Sequence, residues 1–486
     1  MSSRPSGTLA GATWLHRVDE TLWEIPVTAR ADMRVPARVF ADEEILAAIE
    51  GDRSLEQLQN VATLPGIVDA ALAMPDIHQG YGFPVGGVAA METPDGVVSP
   101  GGVGYDINCG VRLLALPLSE EELGERREAL VHEISRVIPA GAGKEGPLAL
   151  VRADLDDVLR DGPRALVAHG LGTEADLEHT ESYGCLGSAD PAAVSDRAKA
   201  RGDGQLGTMG SGNHFVEVQR VERILDPAAA EAYGLREGQV TILIHSGSRG
   251  LGHQVCTDYV KQMDAAIRRY GIELPDRQLA CAPQSSPEGR AYLAAMAAAS
   301  NFAWANRHAI AHGVRRAVAQ VLGPAVADAT RQVYDVAHNV AKLEVYDGRE
   351  LCVHRKGATR AFPAGSPEIP ADYRAVGQPV FIPGSMGTSS FVLAGEPGSM
   401  KRSFGTTCHG AGRRMSRTAA TKKIHGNELR RQLEAEGIVV RCPSPKGLAE
   451  EAPFAYKDVE RVVDVVARAG LARPVAQLRP LGVVKG

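Results

Sequence analysis

The feature that most constrains the fold of this chain is a glycine-rich segment at residues 75–110. Its sequence, PDIHQGYGFPVGGVAAMETPDGVVSPGGVGYDINCG, contains nine glycines. Glycine adopts backbone conformations that other residues avoid, and it allows another part of the chain to approach closely. Glycine makes up 53 of the 486 residues without a collagen-like period. This excess predicts loops of unusual geometry, where functional side chains often lie.

Composition and charge narrow the class of protein. With 44% hydrophobic and 23% charged residues, the chain has the composition of a globular protein with an ample core, which excludes the disordered and fibrous classes. The formal net charge of -6 provides no overall basic field that would attract a polyanion. We therefore expect any surface for nucleic acid to be local.

Cysteine usage and apolar runs bear on the compartment. The seven cysteines are odd in number and show no paired spacing typical of zinc sites, which favours a reducing compartment. The N-terminal sequence MSSRPSGTLAGATWLHRVDE lacks the basic segment and apolar run of a secretory signal. The alanine-rich window 291–306 is too short and too polar to cross a bilayer. We expect a cytoplasmic protein with no membrane partner.

The organisation of the chain predicts a single domain over residues 1–486. No internal repeat and no low-complexity linker divides the sequence. Several strand-like runs end close to glycine-rich turns, which is typical of an enzyme core with its site along one sheet edge. These runs cover residues 214–218, 240–244, 331–336, 379–382 and 391–393. The predicted fold class is α/β (mixed α+β) with central β-sheets.

A long helix is predicted at about 286–322. Ser286 suits the N-cap and Pro287 the first turn, the interior is rich in alanine, and a Gly-Pro pair follows at 323–324. We expect this helix to pack against a sheet. Its two histidines, His308 and His312, have a spacing that suits a metal, but no acidic partner lies beside them and a helix-face role is favoured.

Two charged stretches, 41–75 and 118–200, show helical spacing. Within the second, residues 152–160 have the pattern of a solvated amphipathic helix that ends before a Gly-Pro pair. Charge of this kind is typical of a solvent-exposed helix face rather than of a binding site. We therefore expect both stretches to form surface.

Asp106 and Cys109 form a D-x-x-C pair inside the glycine-rich segment. From one turn, a hard carboxylate oxygen and a soft thiolate sulfur can converge on a divalent cation. An aspartate and a cysteine at this spacing are, by themselves, more often a cap and a buried thiol. The pair alone therefore leaves both interpretations open.

Three histidines beside strand-like runs favour the metal interpretation. They are His214 in GSGNHFVEVQ, His245 in LIHSGSRGLGHQ and His338 in YDVAHNVAK. Each alone is more often a structural histidine. With Asp106 and Cys109 they offer more donors than one tetrahedral ion needs, and a thiolate can bridge two ions. The set predicts a two-metal site for a borderline ion such as manganese or zinc, suited to phosphoryl transfer.

A basic, glycine-containing segment lies near the C-terminus. From 401 to 423 there are seven lysines and arginines and no acidic residue, which predicts a local polyanion surface, with a plain solvated face as the alternative. In the motif CHGAGRR, His409 suits a nucleophile that attacks phosphorus. The loop IPGSMGTSSF at 382–391 offers amides and hydroxyls that could cradle phosphates, or it is an ordinary turn. No P-loop or Rossmann signature occurs.

Taken together, these motifs resemble the RtcB family of tRNA-splicing and RNA-repair ligases. The resemblance rests on long blocks in the family's order between residues 76 and 486, and it is weaker over the first 40 residues and over 118–200. The blocks are DIHQGYGFPVGGVA, GGVGYDINCGVR, GSGNHFVE, HSGSRGLGH, DVAHN, IPGSMGT, CHGAGR and the terminal LRPLGVVKG.

The resemblance implies a GTP- and manganese-dependent enzyme. Such an enzyme joins an RNA 3′-phosphate or 2′,3′-cyclic phosphate end to a 5′-hydroxyl end, and a small activator called archease assists it in some organisms. It implies that His409 carries GMP covalently, with Asp76 as a candidate to orient its imidazole. The implied ligands of two Mn²⁺ ions are Asp106, Cys109, His214, His245 and His338, with Cys109 bridging.

The implied nucleotide contacts come from several loops. Glu217 could accept hydrogen bonds from guanine, Lys485 could donate to it, and Tyr456 could stack on the base. Arg249, Arg413 and Arg414 are candidates to grip RNA or triphosphate oxygens. The full set of implied contacts is Asn213, His214, Phe215, Val216, Glu217, His338, Asn339, Pro383, Gly384, Ser385, Met386, Ser390, His409, Gly410, Ala411, Gly412, Tyr456 and Lys485.

Other functions remain open at the level of sequence. A guanylyltransferase that modifies 3′-phosphate ends without ligation would use the same core. A two-metal phosphoesterase acting on cyclic phosphate ends would need the five ligands but not His409, Glu217 or Lys485. A non-catalytic RNA-binding module would need only the basic stretch. The sequence contains the five ligands, the three residues His409, Glu217 and Lys485, and the basic stretch, and their joint presence favours the ligase.

Overall fold

The computed structural model describes residues 14–141, 143, 146 and 154–486, and it has a mixed α/β architecture. The strands are β1 His16–Arg17, β2 Leu22–Ile25, β3 Ala37–Phe40, β4 Ala71–His78, β5 Val85–Glu92, β6 Val97–Val98, β7 Gly110–Ser119, β8 Phe215–Ile224, β9 Gln239–Ser246, β10 Ala282–Pro283, β11 Arg331–Ala337, β12 Asn339–Tyr346, β13 Arg349–Lys356, β14 Ala358–Arg360, β15 Pro379–Ile382, β16 Ser390–Gly395, β17 Thr406–Cys408, β18 Val439–Arg441 and β19 Ala472–Lys485.

The helices range from single turns to one of 36 residues. They are α1 Glu43–Ala48, α2 Ser54–Val61, α3 Glu120–Leu123, α4 Arg126–Val137, α5 Leu155–Asp161, α6 Arg164–Val167, α7 Glu174–Glu178, α8 Asp196–Gly202, α9 Pro227–Tyr233, α10 Arg249–Ala266, α11 Pro287–Leu322, α12 Pro324–Asp328, α13 Pro397–Ser403, α14 Arg417–Thr421, α15 Gly426–Ala435, α16 Pro445–Glu450 and α17 Val459–Arg468. None of the helices in the described part of the chain combines the length and apolar character that a bilayer crossing requires.

Two large sheets dominate the fold. A seven-stranded sheet has the order β1-β2-β3-β4-β5-β13-β12, and an eight-stranded sheet has the order β11-β7-β9-β8-β19-β16-β15. Pairing is antiparallel except between β3 and β4 and where β18 joins β19. The predicted fold class, with central β-sheets, is confirmed.

The long helix α11 connects the hydrophobic cores of the two sheets. It begins as predicted, since the Ser286 hydroxyl accepts a hydrogen bond from the Gly289 amide at 3.0 Å. Phe302 and Trp304 in its first half pack in the core under the seven-stranded sheet. Ile310 and Val314 in its second half pack in the core of the eight-stranded sheet. The single domain over residues 1–486 stays a prediction, and this shared helix supports it.

The five strand-like runs all lie in strands or begin one residue before them. The 214–218 run begins one residue before β8, the 379–382 run coincides with β15, and the others lie inside β9, β11 and β16. The prediction for 41–75 is wrong at its end. Residues from Ala71 onward form β4, because the charges stop at Asp69 and an almost entirely buried, mainly apolar run follows.

Two further predictions concern the helix at 152–160 and the position of His308. The amphipathic helix expected at 152–160 corresponds to α5, although residues 152 and 153 lie outside the described residues. For His308, the helix face that carries its side chain is a buried one. Its Nε2 lies 2.7 Å from the Leu171 carbonyl oxygen, and its Nδ1 lies 3.2 Å from the Arg112 guanidinium.

One edge of the eight-stranded sheet gathers the ends of five neighbouring strands. The register pairs Gly110 at the start of β7 with Ser246 at the end of β9 and with Ala337 at the end of β11. Phe215 at the start of β8 is paired with His245 and with Lys485. Residues immediately beside these strand ends are therefore brought together from distant parts of the sequence.

Candidate active site

At this sheet edge, three side chains from three neighbouring strand ends form a compact cluster. Cys109 precedes β7, His245 lies near the end of β9, and His338 follows β11. The Cys109 Sγ lies 3.3 Å from the His245 Nε2, which in turn lies 3.3 Å from the His338 Nε2. All three side chains are buried. Cys109, His245 and His338 therefore form one group able to hold a metal ion.

A second group shares Cys109 with the first. His214 Nε2 lies 3.3 Å from the Cys109 Sγ and 2.8 Å from the Asp106 Oδ2. The backbone amide of Ser248 donates to the other carboxylate oxygen of Asp106 at 3.1 Å. Gly247 passes so close that a Cβ there would lie 2.3 Å from the Asp106 Oδ1. The two groups meet at one thiol, the arrangement that suits a bridging ligand.

The electrostatics of these side chains suit cation binding. Burial lowers the pKa of His245 and of His338 well below the ordinary value, so both rings are neutral and keep a lone pair. Burial would raise the pKa of Asp106, but the neighbouring His214 holds it at about 2. Burial and the Asp106 charge raise the pKa of Cys109, and a bound divalent cation would reverse that by stabilising the thiolate. The donor set therefore fits borderline divalent ions.

His409 lies beside this cluster, with its ring centroid 4.6 Å from that of His338. Its Nδ1 lies 2.6 Å from the Asp76 Oδ2, which also accepts from the His409 backbone amide at 3.1 Å. Asp76 is fully buried at the strand β4. A proton on Nδ1 shared with this carboxylate leaves the lone pair on Nε2, the form in which an imidazole acts as a nucleophile.

Glycine at position 412 makes this pairing possible. Gly412 has a φ of +75°, and a Cβ there would lie 2.2 Å from the Asp76 carbonyl oxygen. Lys457 binds the backbone on both sides of Asp76. Its Nζ donates to the Pro75 carbonyl at 3.2 Å and to the carbonyl of Ile77. The segment that carries His409 thus packs directly against the strand that carries Asp76.

A cleft of about 260 Å³ connects the cluster around Cys109 with His409 and a group of predicted nucleotide contacts. Three predicted contacts do not line it: the His214 ring, Val216, whose side chain points into the core, and Ser390, which lies behind Glu217. The predicted site residues that line it are Asp106, Cys109, Asn213, Phe215, Glu217, His245, His338, Asn339, Pro383, Gly384, Ser385, Met386, His409, Gly410, Ala411, Gly412, Arg413, Tyr456 and Lys485.

At the end of the cleft formed by β8 and β19, an acid and a base lie buried. Glu217 is 3% exposed, and burial raises its pKa to about 8. One of its oxygens accepts from the Gln219 side-chain amide at 2.6 Å. The Lys485 Nζ lies 5.2 Å from the centre of the Phe215 ring, and burial lowers its pKa. Donors and acceptors are thus available for a polar, planar ligand.

The loop between β15 and β16 forms a wall of the cleft. The Ser390 hydroxyl accepts from the Gly384 amide at 3.1 Å and from the Gln219 side chain at 3.1 Å. The Thr388 hydroxyl accepts from the Ser385 amide at 2.8 Å. This network links the loop to Glu217 across the sheet through the side chains of Ser390 and Gln219.

The three predicted arginines occupy different environments. Arg249 is largely buried and donates to the Thr208 hydroxyl at 3.1 Å and to the Gly141 carbonyl at 3.0 Å. Arg413 lines the cleft, but its guanidinium is held by Glu451 and by the Glu450 carbonyl. Arg414 is exposed and lies outside the lining of the cleft. Only Arg414 is thus freely accessible to a large polyanion.

Tyr456 is held by the same acidic group. Its hydroxyl donates to Glu451, and the Arg413 guanidinium carbon lies 5.0 Å from the centre of its ring. One face of the ring is therefore covered by a cation. Stacking of a base on Tyr456, which the family resemblance implies, would have to use the opposite face.

Sequence reasoning missed three charged residues that line the cleft: Lys356, Arg417 and Glu451. Lys356 ends β13 and donates to the Phe83 carbonyl at 3.0 Å, and burial lowers its pKa to about 7. It stands at a strand end before a glycine, the same signal that singled out the histidines. No comparable signal marks Glu451, which is buried although it lies in a charged stretch.

Comparisons of the sequence with known proteins show which family the chain belongs to. A family profile described as tRNA-splicing ligase RtcB matches residues 57–486. A tRNA-splicing ligase RtcB of Thermococcus kodakarensis is 54% identical over 477 residues, covering 97% of this chain and 99% of that protein. One of Archaeoglobus fulgidus is 52% identical with the same coverage. An RNA-splicing ligase RtcB of Mycobacterium tuberculosis is 54% identical over 437 residues, covering 88% of this chain and all of that protein.

Proposed function

The chain belongs to the RtcB family of tRNA-splicing ligases, and from this premise we propose how its residues carry out RNA ligation. The proposed reaction joins an RNA 3′-phosphate or 2′,3′-cyclic phosphate end to a 5′-hydroxyl end, with GTP as co-substrate. The carrying observation is the buried Asp76 carboxylate at 2.6 Å from the His409 Nδ1, in a cleft shared with the Cys109 cluster. This pairing prepares one ring nitrogen for attack.

In the first step, the His409 Nε2 attacks the α-phosphorus of GTP. A phosphorus–nitrogen bond forms, the bond between the α-phosphorus and the bridging oxygen breaks, and pyrophosphate leaves. Asp76 holds the proton on Nδ1 and stabilises the positive charge that develops on the ring, the role that a carboxylate plays behind a catalytic histidine. The buried position of Asp76 strengthens this interaction because the local dielectric is low.

A 2′,3′-cyclic phosphate end must first be hydrolysed: a water oxygen bonds to phosphorus, the bond from phosphorus to the 2′-oxygen breaks, and a 3′-phosphate and a 2′-hydroxyl result. Two transfers then complete the proposed reaction. An oxygen of the RNA 3′-phosphate attacks the phosphorus of the histidine-bound GMP, which frees His409 and leaves the RNA end guanylylated. The 5′-hydroxyl oxygen of the second RNA then attacks the 3′-phosphate, its proton is lost, and GMP departs as the leaving group. A new phosphodiester bond joins the two strands, so each step breaks one phosphorus bond and forms another.

We assign guanine recognition to the buried pair at the end of the cleft. The carboxylate of Glu217 accepts from the guanine N1 and N2 donors, and the Lys485 Nζ donates to O6. Adenine presents no donor at N1 and no amino group at C2, so it leaves Glu217 without partners. The phosphates are assigned to the amides and hydroxyls of the loop at 383–390 and to the glycine-rich turn after His409.

Two Mn²⁺ ions are proposed at the sheet edge, one for each donor group. Asp106, Cys109 and His214 would hold one, and Cys109, His245 and His338 the other. The donor chemistry fits, because carboxylate oxygen, imidazole nitrogen and a shared thiolate suit a borderline ion. When bound, such ions supply positive charge that neutralises phosphate oxygens near His409.

The RNA is proposed to reach the cleft along the basic stretch 401–423. The exposed Arg414 is the contact that the geometry supports best, whereas Arg249 and Arg413 are held by protein acceptors and would serve mainly to shape the cleft. An archease-type activator and a cytoplasmic location stay predictions from the sequence.

The test is incubation of the purified protein with α-labelled GTP and Mn²⁺, beside His409→Ala. Label that is covalent, acid-labile and alkali-stable on the wild type alone is the expected result. His409→Ala should still bind the metal, since His409 is not among the five donors. Ligation of 3′-phosphate RNA to 5′-hydroxyl RNA then separates a ligase from an enzyme that only guanylylates ends. No label on metal-replete wild type would instead favour a two-metal phosphoesterase.

A further inference from the structure

In the middle of α11 a charged side chain is buried. Arg307 is 0% exposed and lies between two other buried polar residues, Asn306 and His308, in an alanine-rich helix. A buried charge is costly unless it is paired and hydrogen-bonded. Neither of the long helix's two cores requires a cation at this position, so its contacts should reveal what it does.

All five N–H donors of Arg307 have acceptors. Nε donates to the Asp335 carboxylate at 2.9 Å, and Nη2 donates to the same carboxylate at 2.8 Å. Nη1 donates to the backbone carbonyls of Asn108 at 2.7 Å and Ser246 at 3.0 Å. Nη2 also donates to the Asn108 side-chain oxygen at 3.1 Å. One planar group thus links three separate segments.

Each of these segments carries one member of the Cys109, His245 and His338 group. Asn108 precedes Cys109, Ser246 follows His245, and Asp335 lies on β11, which ends just before His338. The approach is close, since a Cβ on Gly110 would lie 2.8 Å from the Arg307 guanidinium carbon. Arg307 therefore lies directly behind the three strand ends, on the side opposite the cleft.

Strand pairing alone does not fix the most irregular of these segments. Asn108 lies before β7 in the left-handed region, with a φ of +51°, which asparagine tolerates better than most non-glycine residues. Both its carbonyl and its side-chain oxygen are bound by Arg307, and its side-chain amide donates to the Ser300 carbonyl at 2.8 Å. The direction in which Cys109 leaves this turn thus depends on contacts with α11.

We propose that Arg307 is a positioning residue that holds Cys109, His245 and His338 in register for divalent-metal binding. The proposal rests on the proposed function, because it takes these three side chains as metal ligands. A lysine has three donors on a flexible stem and cannot reproduce the planar set of five contacts. Mutation of a group that orients metal ligands from outside typically lowers the affinity for the metal about 10- to 100-fold.

The test is titration of the full-length protein with Co²⁺, following the sulfur-to-cobalt absorption that reports the Cys109 ligand. Arg307→Lys should bind Co²⁺ roughly 10- to 100-fold more weakly, with a weaker absorption at saturation. The matched control is Arg355→Lys, another buried arginine. Arg355 binds Glu344 at 2.7 and 2.9 Å and the Thr406 hydroxyl at 2.9 Å, away from the three ligands. The Arg355→Lys variant should have a lower melting temperature but an unchanged affinity for Co²⁺.

The outcomes separate this inference from the proposed function. A folded Arg307→Lys protein with wild-type Co²⁺ affinity and absorption would overturn the inference and leave the ligase proposal intact. If Arg307→Lys does not fold, Asp335→Asn takes its place, since it keeps the shape of the carboxylate but weakens its hold on Arg307. A smaller loss of affinity is then expected, and no loss would overturn the inference. Wild-type protein that binds no Co²⁺ would overturn the metal assignment itself, and this inference with it.

Discussion

The two sides of the strand ends that carry Cys109, His245 and His338 differ in how their buried polar groups are hydrogen-bonded. Behind the strands, Arg307 has all five donors bound, and Asp335 accepts from two arginines. On the cleft side, Glu217 has one protein donor, and among the described residues Lys356 and Lys485 make no ion pair within 4.0 Å. Groups that are satisfied by protein alone stabilise the fold, whereas incompletely satisfied groups are available to a ligand. The difference separates the scaffold from the site.

The largest expected effect is that of Cys109→Ala on the cleft side. Removal of the thiol shared by both donor groups should abolish metal binding, GMP attachment and ligation together, because neither ion keeps its ligand set. The fold should lose only about 1 kcal/mol, since a small buried side chain is replaced by a slightly smaller one. Metal content by mass spectrometry and thermal unfolding measure the two quantities. Full metal content and activity in this variant would contradict the two-metal assignment.

Behind the strands, Asp335→Ala should act mainly on the stability of the fold. Removing the carboxylate leaves Arg112 and Arg307 buried without their anion, which should lower the free energy of unfolding by roughly 3–5 kcal/mol. Denaturant unfolding of the metal-free protein measures this loss without any contribution from a ligand. A loss of less than about 1 kcal/mol would remove the distinction between the fully bound Arg307 behind the strands and the incompletely bound groups of the cleft.

Glu217→Gln should have the smallest effect and should act on pH dependence. Burial raises the pKa of Glu217 to about 8, above its ordinary value of 4.5, so the carboxyl is protonated at neutral pH in the free protein. Binding guanine as a carboxylate requires loss of that proton. The affinity for GTP should therefore rise about tenfold per pH unit up to about pH 8 and then level off.

The glutamine variant should bind GTP roughly 10- to 100-fold more weakly at pH 8, with an affinity that no longer depends on pH in this range. Calorimetric titration at several pH values, with ITP as the control nucleotide that lacks the 2-amino group, measures both. The stability of the fold has the opposite trend: because the folded pKa is the higher one, the wild type should lose stability as pH rises from about 4.5 through 8, and the variant should not. A pH-independent GTP affinity in the wild type would contradict the assignment of Glu217.

Much of the scaffold could be predicted from local patterns. The helix at 286–322 was predicted from its N-cap serine, its first-turn proline and the Gly-Pro pair that ends it. The strands were predicted from short apolar segments with glycine beside them. The seven-stranded sheet was not foreseen, because its first three strands are short and lie before residue 41, where no pattern was recognised, and β4 begins inside the stretch 41–75 whose charges suggested helix. Residues at strand ends were recognised as candidates, but only the register shows that Gly110 pairs with both Ser246 and Ala337.

Prediction failed for some charged residues because the local sequence does not show which groups the fold places beside them. Arg307 sits in an alanine-rich helix, and nothing local connects it with Asn108 or Ser246. Arg413 was expected to face phosphate because arginine often does, yet Glu451 holds it in place. In both cases the local sequence shows a charge, and the fold decides whether that charge is already neutralised by protein.

The pairing of β8 with β19 has a consequence for how the molecule assembles. These strands bring together residues as far apart as Phe215 and Lys485, 270 positions distant in the chain. Contacts of such long range form slowly, because the entropy of closing a large loop is lost before the contacts are gained. The two side chains assigned to guanine, Glu217 and Lys485, lie on these two strands. We therefore expect nucleotide binding to appear late in refolding, after the more local hairpins are complete.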